Sequence, residues 1–275
     1  MILFPNAKIN LGLDILRRRP DGYHDIETLM VPVAWKDVLE IVPSGTGETS
    51  LTVTGRPVCC PPEKNLVMKA YRALSAKVGG LPPVELYLRK IIPDGAGLGG
   101  GSADASFALC GLNELFALGL ADDELAGIAA SLGADCPLFV YNRPMLATGT
   151  GTDLEPFDID LSGYTLLIVK PQVGVPTAAA YASVTPRVPV VPLAERLRLP
   201  VEEWQGVVVN DFETSVFPAY PEVARVKERL LGLGAVYASM SGSGSSVYGI
   251  FSRDILSDEV TREFPSCDSA VIPLG

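Results

Sequence analysis

Five glycines stand within seven positions in the stretch PDGAGLGGGSADAS, residues 93–106. Glycine loses more conformational entropy on folding than any other residue, so such a cluster is unfavourable unless the backbone must come very close to something. The alternative is a flexible surface linker, and the flanking residues decide between the two. VELYLRKII predicts a strand that ends near Ile92, and SADASFALCGLNELFAL predicts a helix from about Ser102 to Leu118. The glycines therefore form a strand-to-helix loop.

A loop in this position is suited to binding phosphate, because the N–H groups at a helix N-terminus lack partners and carry partial positive charge. It is not a Walker A loop, since no Gly-Lys-Ser/Thr follows. Gly95, Gly97 and Gly100 match the dinucleotide pattern G-x-G-x-x-G, and Asp122 lies roughly twenty residues further on, where a Rossmann ribose ligand would stand. That match is weak, because residues 121–131 predict a second helix where a Rossmann unit needs a strand.

The remaining pattern predicts a chain of mixed strands and helices. AKINLGLDIL predicts a strand from about Ala7 to Leu16, and DIETLMVPV, DVLEIV and TSLTVTG predict further strands, so the chain begins as a β meander. NLVMKAYRALSAKV, residues 65–78, has helical spacing. The pattern loosens over residues 143–156, which predicts a domain boundary near residue 155, with domains at 1–155 and 156–275. The order of elements predicts an α+β fold.

Composition restricts the partners. The 275 residues carry a formal net charge of −10, which argues against nucleic acid. No apolar run approaches the roughly 18 residues of a membrane span, and no targeting segment is evident, so a cytoplasmic protein without a membrane partner is expected. The five cysteines, Cys59 among them, predict reduced thiols rather than disulfides, and a single histidine argues against a zinc site.

Several segments together identify a family resemblance. The glycine stretch resembles the phosphate loop of the galactokinase, homoserine kinase, mevalonate kinase and phosphomevalonate kinase (GHMP kinase) superfamily. LGADCPLFV, residues 132–140, resembles the superfamily segment that carries the catalytic aspartate, and SMSGSGSSVYGIF, residues 239–251, resembles its second glycine motif. PNAKINLGLDILRRRPDGYHDIETL, together with KNLVMKA and VPTAAAY, resembles the 4-diphosphocytidyl-2-C-methyl-D-erythritol kinase branch.

The resemblance implies a two-domain fold with an N-terminal domain like ribosomal S5 domain 2, a ferredoxin-like C-terminal domain and an active site between them. It implies ATP, accompanied by Mg²⁺, as the phosphoryl donor. It implies the 2-hydroxyl of 4-diphosphocytidyl-2-C-methyl-D-erythritol, an intermediate of non-mevalonate isoprenoid synthesis, as the acceptor. The implied partners are thus small molecules.

The resemblance also implies two catalytic residues. Asp135 would accept the proton of the attacking hydroxyl, and Lys8 would keep that carboxylate ionised. From the residues alone, the more common interpretations are that Asp135 is a cap or turn aspartate and that Lys8 is a solvent-facing strand lysine. The implied ATP-binding residues are Asn65 and Leu66 together with Pro93, Asp94, Gly95, Ala96, Gly97, Leu98, Gly99, Gly100, Gly101, Ser102 and Ala103.

The implied substrate-binding residues are Asn10, Tyr23, His24, Thr177, Tyr181, Ser241, Gly242 and Ser243. Tyr23 would stack near the cytosine, and His24 would meet its polar edge, since a neutral imidazole has one donor and one acceptor. Alternatives remain open: Asn10 could be a hydrogen-bonded strand asparagine, Asn65 a helix cap, His24 a surface turn residue and residues 241–243 a tight hairpin.

Magnesium ligands stay unassigned. The chain has Asp104 where many relatives have a neutral residue, and an aspartate there would repel phosphate, so we expect it to point away and to serve only the helix dipole. The basic run Arg17–Arg19 is expected to be a solvated hairpin tip.

Three rival functions remain at this point. They are a related kinase acting on homoserine or mevalonate, a non-catalytic nucleotide-binding module, and a dinucleotide oxidoreductase. The segment Gly22–His24 disfavours the first, and the presence of both Lys8 and Asp135 disfavours the second.

Overall fold

A computed structural model describes residues 1–58 and 60–274, which divide into two compact units. Each unit is assembled from several chain segments. The first unit holds Met1–Lys8, Pro32–Asp94 and Gly99–Arg143; the second holds Ile9–Val31, Gly95–Leu98 and Pro144–Gly275. The domain boundary near residue 155 stays a prediction.

The strands and helices have the following bounds. The strands are β1 (Ile2–Leu3), β2 (Asn6–Arg18), β3 (His24–Lys36), β4 (Val38–Pro43), β5 (Ser50–Gly55), β6 (Val84–Lys90), β7 (Met145–Thr148), β8 (Asp153–Pro156), β9 (Tyr164–Lys170), β10 (Tyr237–Met240), β11 (Val247–Phe251) and β12 (Asp268–Leu274). The α-helices are α1 (Leu66–Val78), α2 (Gly100–Leu115), α3 (Asp122–Ala130), α4 (Cys136–Tyr141), α5 (Thr177–Ala182), α6 (Leu193–Arg196), α7 (Glu213–Ala219), α8 (Pro221–Gly232) and α9 (Ser257–Glu263). Short 3₁₀ turns lie at Pro62–Lys64 and Val201–Glu203.

The first unit contains a sheet of order β1-β4-β6-β5, with α1 between β5 and β6 in the chain. The expected β meander is wrong for β4 and β5, since β4 pairs with β1 and β6, and β5 pairs in parallel with β6. A parallel pair needs a long crossover, and the segment containing α1 supplies it. The core of this unit includes Leu39 and Leu86 from the sheet, Leu74 from α1 and Leu109 from α2.

The second unit contains a sheet of order β10-β11-β9-β12 whose neighbouring strands are all antiparallel. Its chain order, one strand, helices, two strands, a helix and a last strand, is the ferredoxin-like pattern. The expected α+β fold with a ferredoxin-like C-terminal domain is therefore confirmed.

A further sheet, of order β2-β3-β7-β8, draws on both halves of the sequence. Here the loosened pattern over residues 143–156 was misleading, because β7 and β8 lie within it as an antiparallel pair. Each has only four residues. Alternation of apolar and polar residues is hard to detect over so short a strand.

Candidate active site

The glycine loop ends in the helix that the sequence predicts, but the helix begins earlier. Gly95, Gly97 and Gly99 have positive φ angles of 59°, 75° and 70°. The helix α2 begins at Gly100, not at Ser102, so Gly100 and Gly101 form part of its first turn. Positive φ is readily adopted only by glycine, which explains the alternation of glycines before the helix.

The glycines differ in what a side chain would meet. A Cβ at Gly97 would overlap the carbonyl oxygen of Ser241, and one at Gly99 would lie 2.9 Å from the Phe139 ring. A Cβ at Gly100 would lie 3.0 Å from Ile92. At Gly101 the nearest such atom is Leu66 Cδ1, at 3.8 Å. Packing of the protein therefore favours glycine strongly at Gly97 and Gly99, leaves little room at Gly100, and does not require glycine at Gly101.

The second glycine motif contacts the first within the second unit. The Ser241 hydroxyl donates to the Gly97 carbonyl at 2.8 Å, and the Ser246 N–H donates to the Ala96 carbonyl at 3.1 Å. Gly242 has a φ of 54°, so it also adopts a glycine conformation. These bonds fix the carbonyl side of the loop at Ala96 and Gly97.

Asn210 supports this second motif, although no pattern in the sequence marks it. Its buried amide donates to the carbonyls of Met240 and Gly242 at 2.7 and 2.8 Å. It lies in a segment without a recognisable motif, so only the tertiary structure assigns it this role. The backbone N–H of Asn10 also contacts the second glycine motif, since it donates to Ser241 Oγ at 3.3 Å.

The two predicted catalytic residues meet in the first unit. Lys8 Nζ lies 3.3 Å from Asp135 Oδ2. The Lys8 side chain is 4% exposed, which excludes the solvent-facing alternative, whereas Asp135 is 34% exposed. Asp135 immediately precedes α4, but its side chain makes no capping hydrogen bond, so it is not an ordinary cap.

The Lys8 stem also borders the glycine loop. A Cβ on Gly99 would lie 3.2 Å from Lys8 Cγ, so this side chain runs directly beside the last loop residue before α2. The lysine, the half-exposed carboxylate and the start of α2 therefore form one cluster in the first unit.

A second lysine–aspartate group lies under the loop and was not anticipated. Lys90 Nζ contacts Asp37 and lies 2.7 Å from Asp104 Oδ2. The expectation that Asp104 serves only the helix dipole is wrong, because its carboxylate pairs with this buried amine. Burial raises the pKa of Asp104 to about 7, with the charge of Lys90 opposing the shift.

Four of the predicted substrate residues line one cavity of about 690 Å³ in the second unit: Tyr23, His24, Thr177 and Tyr181. The His24 and Tyr181 rings stack, with centroids 4.7 Å apart and an interplanar angle of 18°. The Phe212 ring meets Tyr181 edge-on. Thr177 also shares a 3.1 Å hydrogen bond with Ser243, which links the cavity to the second glycine motif.

Two predicted binding residues make the contacts of the structural alternatives. Asn65 accepts a hydrogen bond from the Val67 N–H at 2.9 Å and so caps α1. The Asn10 amide donates to the Thr28 hydroxyl at 3.0 Å within the sheet. These contacts give each side chain a structural task, and their roles in ligand binding stay predictions.

The remaining loop residues divide between surface and core. Pro93, Ala96, Leu98 and Ala103 are buried, while Asp94 is exposed. The side chains of these four buried residues are therefore unavailable to a ligand, and the Ala103 N–H already donates to the Gly99 carbonyl.

The arginine run is split by its partners. Arg17 and Arg19 both pair with Asp25, and Arg19 also pairs with Asp21. Arg18 is exposed and lines the cavity of His24 and Tyr181. The expected solvated hairpin tip therefore describes Arg18, whereas Arg17 and Arg19 also form ion pairs that were not expected.

Membrane spans, metal clusters and disulfides are missing from the part of the chain that the structure describes. Over residues 1–58 and 60–274, no helix combines the length and apolarity needed to cross a membrane. The same residues contain no group of three His, Cys, Asp or Glu side chains that could hold a metal ion. Cys60, Cys110, Cys136 and Cys267 are free thiols, and Cys59 lies outside the described residues.

Comparison with known proteins identifies the class. Residues 65–143 match the family model for the GHMP kinases N terminal domain, and residues 200–267 match that for the GHMP kinases C terminal. The crystal structure of a homoserine kinase from Cytophaga hutchinsonii, 19% identical, covers 98% of this chain and 94% of its own, with a TM-score of 0.73. It shares the fold. Fold and sequence together define a GHMP-type kinase.

Closer relatives identify the branch. The 4-diphosphocytidyl-2-C-methyl-D-erythritol kinase of Parabacteroides distasonis is 54% identical over 92% of both chains. A crystal structure of 4-(cytidine 5'-diphospho)-2C-methyl-D-erythritol kinase is 32% identical and covers 100% of both chains, with a TM-score of 0.80. The chain belongs to the 4-diphosphocytidyl-2-C-methyl-D-erythritol kinase family of the GHMP kinases.

Proposed function

We propose that the protein transfers the γ-phosphoryl group of ATP to the 2-hydroxyl of 4-diphosphocytidyl-2-C-methyl-D-erythritol, in non-mevalonate isoprenoid synthesis. The observation that carries the chemistry is the cluster of Lys8, Asp135 and Gly99 in the first unit. Phosphoryl transfer needs alignment, charge neutralisation and a group that removes the hydroxyl proton. The cluster offers a base and a cation beside a helix N-terminus.

In this proposal Asp135 is the general base. Its carboxylate is exposed enough to meet a substrate hydroxyl, and no capping bond occupies it. The Lys8 amine can pair with the Asp135 carboxylate and can stabilise the attacking oxygen as the proton leaves. Because Lys8 is buried along its stem, its amine is held in place for both tasks.

The phosphates of ATP would lie at the N-terminus of α2, against the N–H groups of Gly100, Gly101 and Ser102. The first N–H groups of a helix have no partner within it, and glycine lets an anion approach closely. A Cβ on Gly101 would make only an ordinary contact with Leu66 Cδ1, at 3.8 Å, so packing does not explain the glycine there, which supports a role in admitting the phosphates.

Mg²⁺ would accompany the nucleotide and neutralise phosphate charge. The described residues contain no three-residue acidic or His/Cys group for it. Mg²⁺ is commonly held through substrate phosphates and water with one or two carboxylates, so we assign it no ligand and no step here.

The cavity of His24 and Tyr181 is the proposed cytidine site. Its volume of about 690 Å³ lies within the range of small-molecule pockets. Tyr23 offers an exposed ring to stack on a base, and the ring of Tyr181 holds the His24 imidazole in place. Hydrogen bonds from an imidazole to the pairing edge would then select a pyrimidine.

The deciding experiment is ADP release measured with the cytidine substrate, homoserine and mevalonate in parallel. We expect turnover with the cytidine compound alone. Turnover with homoserine or mevalonate would move the protein to another branch of the superfamily, and ATP binding without ADP release from any of the three would favour a non-catalytic nucleotide-binding module.

Gly101→Ala tests the phosphate site. Alanine stabilises a helix relative to glycine by about 0.5–1 kcal/mol, so the variant should be at least as stable as the wild type. A methyl group in the path of the phosphates should nevertheless weaken ATP binding several-fold by calorimetry. Unchanged ATP affinity in this variant would remove Gly101 from the site. Gly99 and Gly100 are poorer test positions, since substitution there also disturbs Phe139 or Ile92.

His24→Ala tests the cytidine site. Loss of a hydrogen bond that leaves a buried partner unpaired costs roughly 1–3 kcal/mol, so the KM for the cytidine substrate should rise about tenfold or more. The KM for ATP should stay constant in the same steady-state experiment. An effect confined to ATP would contradict the cytosine assignment.

A further inference from the structure

We propose that Asp37, Lys90 and Asp104 are positioning residues for ATP, because they hold the entry and the exit of the glycine loop to one buried charge cluster. The inference rests on the proposed function, since it requires the loop to bind ATP. The three side chains lie outside the catalytic pair and belong to the first unit. They act on the nucleotide through the loop backbone, without touching it.

The entry of the loop is fixed by Asp37. Its Oδ1 accepts hydrogen bonds from the N–H groups of Ile91 and Ile92, the two residues between β6 and Pro93. Its Oδ2 accepts from the Lys90 amine. One carboxylate therefore holds the last residues before the loop and the side chain of the strand end.

The exit of the loop is fixed by Asp104. This residue lies one turn inside α2, and its Oδ2 accepts from Lys90 Nζ at 2.7 Å. The amine lies under the first helical residue, since a Cβ on Gly100 would be 3.4 Å from Lys90 Nζ. Lys90 is thus the link between the strand that enters the loop and the helix that leaves it.

The cluster is closed to solvent, with Asp37, Lys90 and Asp104 no more than 5% exposed. Buried charges interact strongly and in defined geometry, because water does not screen them. The eleven residues 93–103 between Ile92 and Asp104 include five glycines, which order the backbone poorly by themselves. A loop held at both ends loses less entropy when it closes on a phosphate.

The cluster is also incompletely satisfied. Asp104 Oδ1 is buried and has no hydrogen-bond partner. A native group in this state is expected to have a reason beyond packing. Here the reason is the ion pair: Asp104 places a carboxylate under the helix so that Oδ2 reaches Lys90, and Oδ1 is left without a donor.

The test is Asp104→Asn, which keeps the shape and removes the charge. We expect the KM and the calorimetric Kd for ATP to rise about tenfold, kcat to change less than threefold, and the KM for the cytidine substrate to stay within twofold. Lys90→Arg is the second variant, because it keeps the charge but not the compact amine. It should raise the KM for ATP several-fold.

Asp14→Asn is the matched control. Asp14 forms a comparable buried pair with Arg196, but in the second unit. It should lower the thermal midpoint while leaving the KM for ATP unchanged, which separates positioning from general destabilisation. Hydrogen exchange over residues 93–104 should quicken in Asp104→Asn and not in Asp14→Asn.

The outcomes are distinct. Wild-type protein that fails to bind ATP overturns the proposed function itself. Wild-type protein that binds ATP, with unchanged affinity and exchange in folded Asp104→Asn or Lys90→Arg, overturns only the positioning role. An equal rise of the KM for ATP in Asp14→Asn would also overturn it.

Discussion

Two lysine–aspartate groups in the first unit use the same chemistry for opposite purposes. Lys8 and Asp135 lie 3.3 Å apart with the carboxylate 34% exposed. Lys90 lies between Asp37 and Asp104, and all three are closed to solvent. In the first group one carboxylate is accessible to a ligand. In the second group the carboxylates accept hydrogen bonds from the Lys90 amine and from backbone N–H groups.

Both groups contain an ion pair, so the ion pair does not distinguish them. Solvent access to the carboxylate does: an accessible carboxylate can act on a ligand, whereas a buried one can only stabilise the structure around it. The pair of Lys8 and Asp135 should contribute less to stability, since water can reach and solvate its carboxylate. A buried group is different, because removing one partner leaves the other charge uncompensated. Substitutions in the two groups should therefore affect different measurements.

The largest effect is expected at Asp135. Asp135→Asn removes the proposed base, and a general base contributes about 10²–10⁴-fold in rate. The variant should bind both substrates with calorimetric affinities close to those of the wild type, while single-turnover rates fall by that factor. Single-turnover rates within a few-fold of the wild type would remove Asp135 from the mechanism and cancel the distinction between the two groups.

The second-largest effect is expected on the free energy of unfolding, and it should differ between substitutions of Lys90 and of Lys8. Lys90→Met leaves two buried carboxylates without their cation and should lower the free energy of unfolding by about 3–5 kcal/mol. Lys8→Met replaces a buried stem with another and leaves a carboxylate that water can reach, so it should lose at most about 1 kcal/mol. Urea unfolding of both variants measures the difference. Equal losses would mean that the Lys8 pair is as structural as the Lys90 cluster.

The smallest effect is a pH dependence of stability. Burial raises the pKa of Asp104 to about 7 in the folded state, from an ordinary value of 3.8. The folded protein therefore holds this proton more tightly, and the associated stability, complete at low pH, is lost as pH rises through about 7. Between pH 5 and 7 the loss should be on the order of 2 kcal/mol. Denaturant unfolding of Asp104→Asn across that range should lack this part of the decline and keep the smaller loss from Asp14, whose pKa burial raises to about 6; a decline identical to that of the wild type would assign the effect to another group.

Signals that depend on neighbours in the chain were enough to predict the local elements of the site. The strand-to-helix context of the glycines predicts a phosphate loop, whereas the kinase and the roles of Lys8 and Asp135 are implied by the family resemblance of the motifs in their order. The predicted start of the helix was less accurate. The helix α2 begins at Gly100 rather than at Ser102, directly after Gly99, whose positive φ ends the loop.

Features that depend on distant contacts could be learned only from the folded chain. The parallel pairing of β5 with β6 and the stacking of His24 on Tyr181 join residues far apart in the chain. The same holds for Lys90, which resembles in sequence any charged residue at a strand end. Its burial between Asp37 and Asp104, 53 and 14 residues away, gives it a role that no local pattern encodes.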